Sequence, residues 1–332
     1  MKRRRFIKRA SLAGFGLAVS STVVSCVDSP SEKNKNMMSM TKNPFPKAIC
    51  TWGFVNANAK AGDALSKGVK ALDAAIAGVA VEEDNIKNTT VGKGGTPDRE
   101  GNVTLDACVM DTNGDCGAVV CVEGFTNVAA LAKKVMKDTP HVMLAGKGAE
   151  EFALAQGFKK EELLTEDSKK AWQEWLKFPE YKPLINIENH DTIGMLCIDN
   201  DGDIAGACTT SGLSYKMKGR IGDSAVIGAG LFLDNDIGGA VATGMGEEIL
   251  KTVGSFLIVE LMRNGMSPQA ACEEAIRRIV TKNKGYKEFQ IAYIAINKAG
   301  DIGAYCIHEG FTYMKYEDGK NENVPSDYFN KV

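Results

Sequence analysis

Short apolar runs recur along this chain, broken by the same kind of polar turn. Cys108 to Cys121 reads as strand, then Asp111-Thr112-Asn113-Gly114-Asp115, then strand. Met195 to Cys208 repeats the pattern around Asp199-Asn200-Asp201-Gly202-Asp203. Ile291 to Cys306 repeats it again around Asn297-Lys298-Ala299-Gly300-Asp301. A glycine followed by aspartate between apolar runs is hairpin chemistry. The pattern therefore predicts β-hairpins and antiparallel sheet. A short strand over Ala48–Trp52 opens the fold. Helical periodicity covers Ala59–Glu83 (weakened at Gly62 and Gly68), Asn127–Lys137, Gly148–Gln156, Glu247–Asn264 and Pro268–Asn283, and Thr165 caps a helix through Leu176. The hairpin flanks are too continuously apolar for strands with a wet face, so helices must cover the sheets. The expectation is a layered α/β (α+β) sandwich.

The segments between these elements carry different signals. Asn88–Asn102, with Gly92, Gly94, Gly95, Pro97 and Gly101, reads as a loop. Phe178–Glu188 contains Pro179 and Pro183 and reads as an exposed connector. Residues 1–25 form a leader: Lys2, Arg3, Arg4, Arg5, Lys8 and Arg9 precede an apolar stretch from Ala10 to Val24. That stretch is a signal h-region, too short for a comfortable membrane span. Arg3-Arg4-Arg5-Phe6-Ile7-Lys8 resembles a twin-arginine signal, but Lys2 stands where Ser or Thr is usual, so Sec export stays open. Val23-Val24-Ser25-Cys26 resembles a lipobox and makes Cys26 a candidate lipidation site. The alternative is a cleaved soluble signal. Either way the expectation is export, to a bacterial periplasm or as a membrane-anchored lipoprotein. Residues 26–47 then form a flexible tether, rich in Ser, Pro, Asn, Lys and Met.

Composition narrows the function. The chain of 332 residues is 44% apolar and 25% charged, ordinary for a globular protein. Removing the leader takes away six positive charges and no negative ones, so the formal net charge of −2 becomes −8. A mildly acidic protein has no electrostatic footprint for nucleic acid. Histidine is scarce, with only His141, His190 and His308, which argues against a histidine metal site and a Ser-His-Asp triad. Nine cysteines include no C-x-x-C pair, and Cys197, Cys208 and Cys306 sit in apolar runs as small hydrophobes. Asp199–Asp203 resembles a calcium loop, but its glycine is at the fourth place and the twelfth lacks glutamate. Gly146-Lys147 and Gly228-Ala229-Gly230 lack phosphate-loop and dinucleotide spacing. No cofactor and no metal is expected. The glycines from Gly238 to Gly246 either permit tight packing or bring backbone N–H groups up to a ligand.

The candidate chemistry lies between Ile187 and Gly246. Thr192 opens an apolar strand directly after His190-Asp191. As an ordinary β-branched residue it would mean little. If the 191–192 bond is cut, Thr192 gains a free α-amine with pKa about 7.7–8.0. Threonine with its own amine is a self-contained nucleophile and base. Arg220 and Asp223, three residues apart, match the carboxylate and ammonium of an amino acid, although alone they read as a solvated loop ion pair.

Several motifs together carry a resemblance. They are Thr51-Trp52, Gly94-Gly95 with Pro97-Asp98, Thr104-Leu105-Asp106-Ala107, His190-Asp191-Thr192-Ile193-Gly194, Thr210-Ser211-Gly212, Gly219-Arg220-Ile221-Gly222-Asp223-Ser224 and Thr243-Gly244-Met245-Gly246. In this order and spacing, residues 48–332 resemble a glycosylasparaginase (aspartylglucosaminidase), of the N-terminal nucleophile hydrolases. The resemblance implies a four-layer αββα sandwich with two mainly antiparallel sheets. It implies self-cleavage between Asp191 and Thr192, leaving 48–191 and 192–332 as two subunits of one hydrolase domain. His190 and Asp191 would assist that cleavage, and Thr210 would support both cleavage and nucleophile. Thr192 would attack, Arg220 would bind the α-carboxylate, and Asp223 with the Gly246 carbonyl would bind the α-ammonium. The Thr243 hydroxyl and Gly244 N–H would form the oxyanion hole, and Trp52 would line the pocket. The implied substrate is the amide between an asparagine side chain and N-acetylglucosamine, and the implied assembly is a dimer of cleaved protomers.

Two departures stand in Thr90-Val91-Gly92-Lys93-Gly94-Gly95: Thr90 where Ser is expected and Lys93 where an aromatic is expected. Lys93 puts loop packing or leaving-group fit in question. The enzymatic alternative is a plant-type asparaginase or isoaspartyl peptidase. Asp191 before Thr192 and the Cys50-Thr51-Trp52 opening speak against it. The non-enzymatic alternative is an unprocessed lipoprotein that binds asparagine-linked glycans.

Overall fold

Three turns of one design organise the sheets. In the computed structural model, which describes residues 46–179 and 192–330, Asp111 Oδ1 accepts the N–H groups of Asn113 and Asp115. Asp199 Oδ1 accepts those of Asp201 and Asp203, and Asn297 Oδ1 accepts that of Asp301. Each side chain imitates a backbone turn. The fourth residue must then adopt a left-handed conformation, and Gly114, Gly202 and Gly300 do so at φ of 78°, 80° and 87°.

The strands are β1 (Lys47–Thr51), β2 (Thr104–Met110), β3 (Cys116–Glu123), β4 (Met143–Ala145), β5 (Ile193–Ile198), β6 (Ile204–Thr210), β7 (Leu231–Asp234), β8 (Gly238–Gly244), β9 (Ile291–Asn297), β10 (Ile302–Cys306), β11 (Thr312–Glu317), β12 (Lys320–Pro325) and β13 (Asp327–Tyr328). The helices are α1 (Val55–Ser66), α2 (Ala71–Glu83), α3 (Val128–Asp138), α4 (Gly146–Ala155), α5 (Glu166–Trp175), α6 (Gly246–Thr252), α7 (Gly254–Arg263) and α8 (Pro268–Lys282). One sheet runs β12-β11-β1-β5-β6-β2-β3-β4, the other β13-β10-β9-β8-β7. Only the β3–β4 and β10–β13 pairs are parallel. Strands from both sides of the 191–192 bond interleave in the larger sheet: β1 lies between β11 and β5, and β2 pairs with β6.

The sheets pack face to face through β5 and β6 against β7 and β8. Small residues let them close: a Cβ on Gly194 would sit 2.8 Å from the Val241 side chain, and one on Gly239 would sit 2.8 Å from Leu196. Helices α2 and α3 cover the larger sheet, and α7 and α8 the smaller. The result is the expected αββα sandwich. Buried side chains such as Ile49, Leu105, Leu196 and Ile294 fill it, each contributing about 1.5–3 kcal/mol.

The helix expected over Ala59–Glu83 is two helices, broken where Gly68 takes φ 82°. The helix expected over Glu247–Asn264 is also two, broken at Val253 with φ 48°. Thr165 caps α5, accepting the Ser168 N–H at 3.3 Å. The β7–β8 and β11–β12 hairpins carry no counterpart in the sequence reading. The eight cysteines among the described residues are unbridged. No helix among those residues is long and apolar enough to cross a membrane. The leader, Cys26, His190 and Asp191 lie outside the described residues.

Candidate active site

Thr192 is buried at the entry to β5, in the centre of the larger sheet. Its carbonyl accepts the Thr51 hydroxyl at 2.7 Å, and the same hydroxyl oxygen accepts the Gly194 N–H at 3.0 Å. Thr51 thereby pins both sides of Ile193 just beyond the last β1–β5 pair, Cys50 with Met195. The Thr192 hydroxyl lies 3.2 Å from the Ser224 hydroxyl.

A cavity opens beside this hydroxyl. Thr192, Thr210, Gly212, Leu213, Arg220, Gly222, Asp223, Ser224 and Gly244 line it. Thr210 ends β6, donates to the Thr90 carbonyl at 3.3 Å and accepts the Gly212 N–H at 2.9 Å. The loop from Thr210 to Arg220 hangs on Lys216, whose buried Nζ donates to the Ser211 carbonyl at 2.9 Å and lies 3.8 Å from Asp106 Oδ2. Burial pushes the Lys216 amine down, while Asp106 opposes the shift. The Asp106 motif thus supports this loop from β2. Helix α5 braces it from outside: Trp172 donates to the Arg99 carbonyl at 3.1 Å, and Trp175 stacks on Tyr215 at 4.7 Å.

Arg220 and Asp223 meet at the cavity with opposite charge. The Arg220 Nε and Nη2 each donate to Glu247 at 2.8 Å, a bidentate pair. Burial pushes the Glu247 carboxyl up, but the Arg220 hydrogen bonds and charge outweigh it and hold the group below the usual range. Asp223 is buried, and its Oδ2 has no hydrogen-bond partner among the described residues. Burial pushes its carboxyl up to about 7, against the pull of Arg220. A buried carboxylate with an empty acceptor site is costly unless a cation meets it. Gly246 closes against it: a Cβ there would sit 2.8 Å from Asp223 Oδ1.

Thr243 and Gly244 end β8 on the other wall. Gly244 has φ 108°, and a Cβ there would meet the Gln290 carbonyl at 2.2 Å, so only glycine fits. Thr243 is fully buried and accepts the Trp52 indole N–H at 3.0 Å. Trp52, expected as a lining residue, stands one layer back with its ring edge-on to Phe311 at 4.9 Å. Its φ of 61° is unusual for a bulky residue and costs about 1–3 kcal/mol.

The two departures have structural partners. The Thr90 hydroxyl donates to Asn88 Oδ1 at 3.0 Å. Lys93 pairs with Glu161 at 2.6 Å and is not among the residues lining the cavity. The hydrogen bonds from Lys93 and Thr126 pull the Glu161 carboxyl down.

The structure therefore gathers Thr192, Thr210, Arg220, Asp223 and Gly244 around one cavity, with Thr243, Gly246 and Trp52 immediately behind them. Roles for Thr51, Ser224 and Glu247 escaped the sequence reading. Ser224 adjoins Asp223 and Glu247 adjoins Gly246, so adjacency to motif residues was the available signal. Such a set can present a hydroxyl nucleophile to a small zwitterion. Among the described residues, no cluster of His, Cys, Asp and Glu side chains is placed to hold a metal ion.

A family model described as asparaginase matches residues 36–324. The chain is 51% identical over 325 residues to an N(4)-(β-N-acetylglucosaminyl)-L-asparaginase from Elizabethkingia miricola, covering 96% of this chain and 93% of the relative. It is 37% identical over 317 residues to the protein of that name from Rattus norvegicus, covering 85% and 91%. It is also 37% identical over 296 residues to the Mus musculus protein of that name, covering 80% and 85%.

Proposed function

The chain belongs to the asparaginase family, and on that premise we propose that it is a glycosylasparaginase, cleaving the amide between an asparagine side chain and N-acetylglucosamine. The observation that carries this reading is the cavity itself. Thr192 lines it together with Arg220 and with Asp223, whose Oδ2 has no hydrogen-bond partner among the described residues. An amino acid with free α-groups satisfies both charges and leaves its side-chain carbonyl for Thr192.

In this mechanism the 191–192 bond is first cut by the chain itself, with His190, Asp191 and Thr210 assisting. Thr192 then has a free α-amine. The amine takes the hydroxyl proton as Oγ1 bonds to the substrate carbonyl carbon. Negative charge passes to the carbonyl oxygen, where the Thr243 hydroxyl and Gly244 N–H receive it; one such donor is worth about 2.7–4 kcal/mol. The intermediate collapses, the C–N bond breaks, and the glycosylamine leaves with the proton. Water then attacks the β-aspartyl ester, with the amine again as base, and releases aspartate. Arg220 holds the α-carboxylate bidentately, and Asp223 with the Gly246 carbonyl holds the α-ammonium. Intact glycoproteins, whose asparagine α-groups are blocked, are then poor substrates. The export signal and lipidated Cys26 belong to the same proposal and rest on the sequence; the dimeric assembly rests on the family resemblance alone.

N-terminal sequencing of the purified protein, with an assay on N-acetylglucosaminyl-asparagine, tests the reading. A fragment beginning at Thr192 and release of aspartate are expected. A persistent single chain, or hydrolysis of β-aspartyl dipeptides without release from the glycosylated amino acid, overturns it.

A further inference from the structure

We propose that Glu247 is a positioning residue for substrate recognition: it grips the Nε–Nη2 edge of Arg220 and keeps that guanidinium from pairing with Asp223. The proposal rests on the reading of Arg220 and Asp223 as binders of the α-carboxylate and α-ammonium.

The geometry supplies the argument. Arg220 and Asp223 line one cavity three residues apart, and each pulls on the other's charge. Left to themselves, opposite charges in a site shielded from water collapse into a pair. A collapsed pair would have to be broken before a zwitterion could bind, weakening affinity by that amount. Glu247 removes the hazard. Its two oxygens take Arg220 Nε and Nη2, each at 2.8 Å. This fork-to-fork contact fixes the plane of the guanidinium. Glu247 reaches it from the first turn of α6, outside the cavity lining, and is 43% exposed against 15% for Arg220. The carboxylate therefore holds Arg220 from the solvent side. Meanwhile Asp223 keeps an oxygen without a partner among the described residues, the condition an incoming ammonium requires. Gly246, directly before Glu247, leaves room for Asp223. One short segment thus spaces both charged groups.

The test uses the full, processed enzyme and two variants, Glu247→Ala and Glu247→Gln. Processing into two fragments on a denaturing gel shows that a variant has folded; Gln keeps the size and one acceptor should Ala fail. For glycosylated asparagine, Glu247→Ala is expected to raise KM about tenfold or more with kcat within about twofold, the pattern of lost positioning in binding. Glu247→Gln falls between it and the wild type. Calorimetry with L-aspartate should show a parallel loss of about tenfold. β-Alanine, which is aspartate without its α-carboxylate, keeps the ammonium that needs an open Asp223 and should also bind Glu247→Ala more weakly than wild type. Unchanged KM and unchanged aspartate affinity overturn the proposal, as does an unchanged affinity for β-alanine, which would show Asp223 open without Glu247; a kcat lowered well beyond twofold would mark general disruption and overturn it too. A wild-type enzyme that binds aspartate but does not turn over glycosylated asparagine counts against the proposed reaction instead, and the aspartate series still decides the role of Glu247.

Discussion

The indole N–H of Trp52 donates to the hydroxyl of Thr243 at 3.0 Å, joining residues 191 apart in the chain. A hydroxyl has one proton to give. Because the Thr243 oxygen accepts that N–H, its own proton is left for another acceptor. In the proposed mechanism that acceptor is the oxyanion, and Trp52, with φ 61°, orients the donor.

Trp52→Phe removes that N–H and keeps most of the ring. The expected result is a kcat lowered about tenfold or more, less than the 10²–10³ that follows loss of a whole oxyanion donor. KM should change little, because Arg220 and Asp223 are untouched. Steady-state kinetics check this; an unchanged kcat would remove Trp52 from the mechanism.

The pH dependence of binding follows from Asp223. Burial places its carboxyl at about 7. Only the ionised form attracts an ammonium, so kcat/KM should rise as pH rises through about 7. The α-amine that the proposed self-cleavage gives Thr192, with an ordinary pKa of about 7.7–8.0, must also lose its proton and adds a limb in the same direction. Rate profiles between about pH 5 and 9 test this. A kcat/KM that falls through neutral pH contradicts both assignments.

Stability should move the other way. Burial raises Asp223 from 3.8 to about 7 and Glu83 from 4.5 to about 7. A raised carboxyl pKa means that the folded state binds more protons than the unfolded one. The associated stability is present below the unfolded pKa and is lost as pH climbs through about 7. Asp223→Asn and Glu83→Gln should therefore raise Tm at pH 8 relative to wild type and do little at pH 4. Only Asp223→Asn should abolish binding. Glu83 lies at the end of α2, where Oε1 accepts the Thr209 hydroxyl at 2.8 Å and the Ala129 N–H at 3.1 Å, away from the cavity lining.

What could be read in advance depended on how local the signal was. The three hairpins were legible because Asp111, Asp199 and Asn297 write the whole turn within five residues. The β7–β8 hairpin was not, because β8 reads Gly-Gly-Ala-Val-Ala-Thr-Gly and packing against the facing sheet excludes larger side chains. β12, Lys-Asn-Glu-Asn-Val-Pro, is polar because it is a sheet edge. In the site, Thr192, Arg220 and Asp223 stood in motifs whose spacing could be recognised. Glu247 and Thr51 act through tertiary contacts with Arg220 and Thr192, across 27 and 141 residues. Thr51 stood in the Thr51-Trp52 motif and Glu247 beside Gly246, but no local pattern announces the contacts themselves. The place of Trp52 behind Thr243 likewise needs both sheets in position.

Ser224 offers the last test, because it meets the proposed nucleophile directly. Its hydroxyl lies 3.2 Å from that of Thr192, and its carbonyl accepts the Cys108 thiol at 3.1 Å from β2. The residue is buried, and both of these partners come from the larger sheet, Cys108 in β2 and Thr192 at the entry to β5. A hydroxyl partner at this distance fixes the rotamer of Thr192, whose β-branch already limits χ1. Ser224→Ala removes the partner without adding volume. A misaligned nucleophile loses rate in the acylation step, since reacting groups must be held close to their attack geometry. The expected outcome is a kcat lowered about tenfold, with aspartate affinity nearly unchanged because the Arg220 and Asp223 contacts remain. Pre-steady-state kinetics place the loss: a slower burst of glycosylamine release assigns it to attack by Thr192. A normal burst with slow turnover would instead put Ser224 in the hydrolysis of the ester.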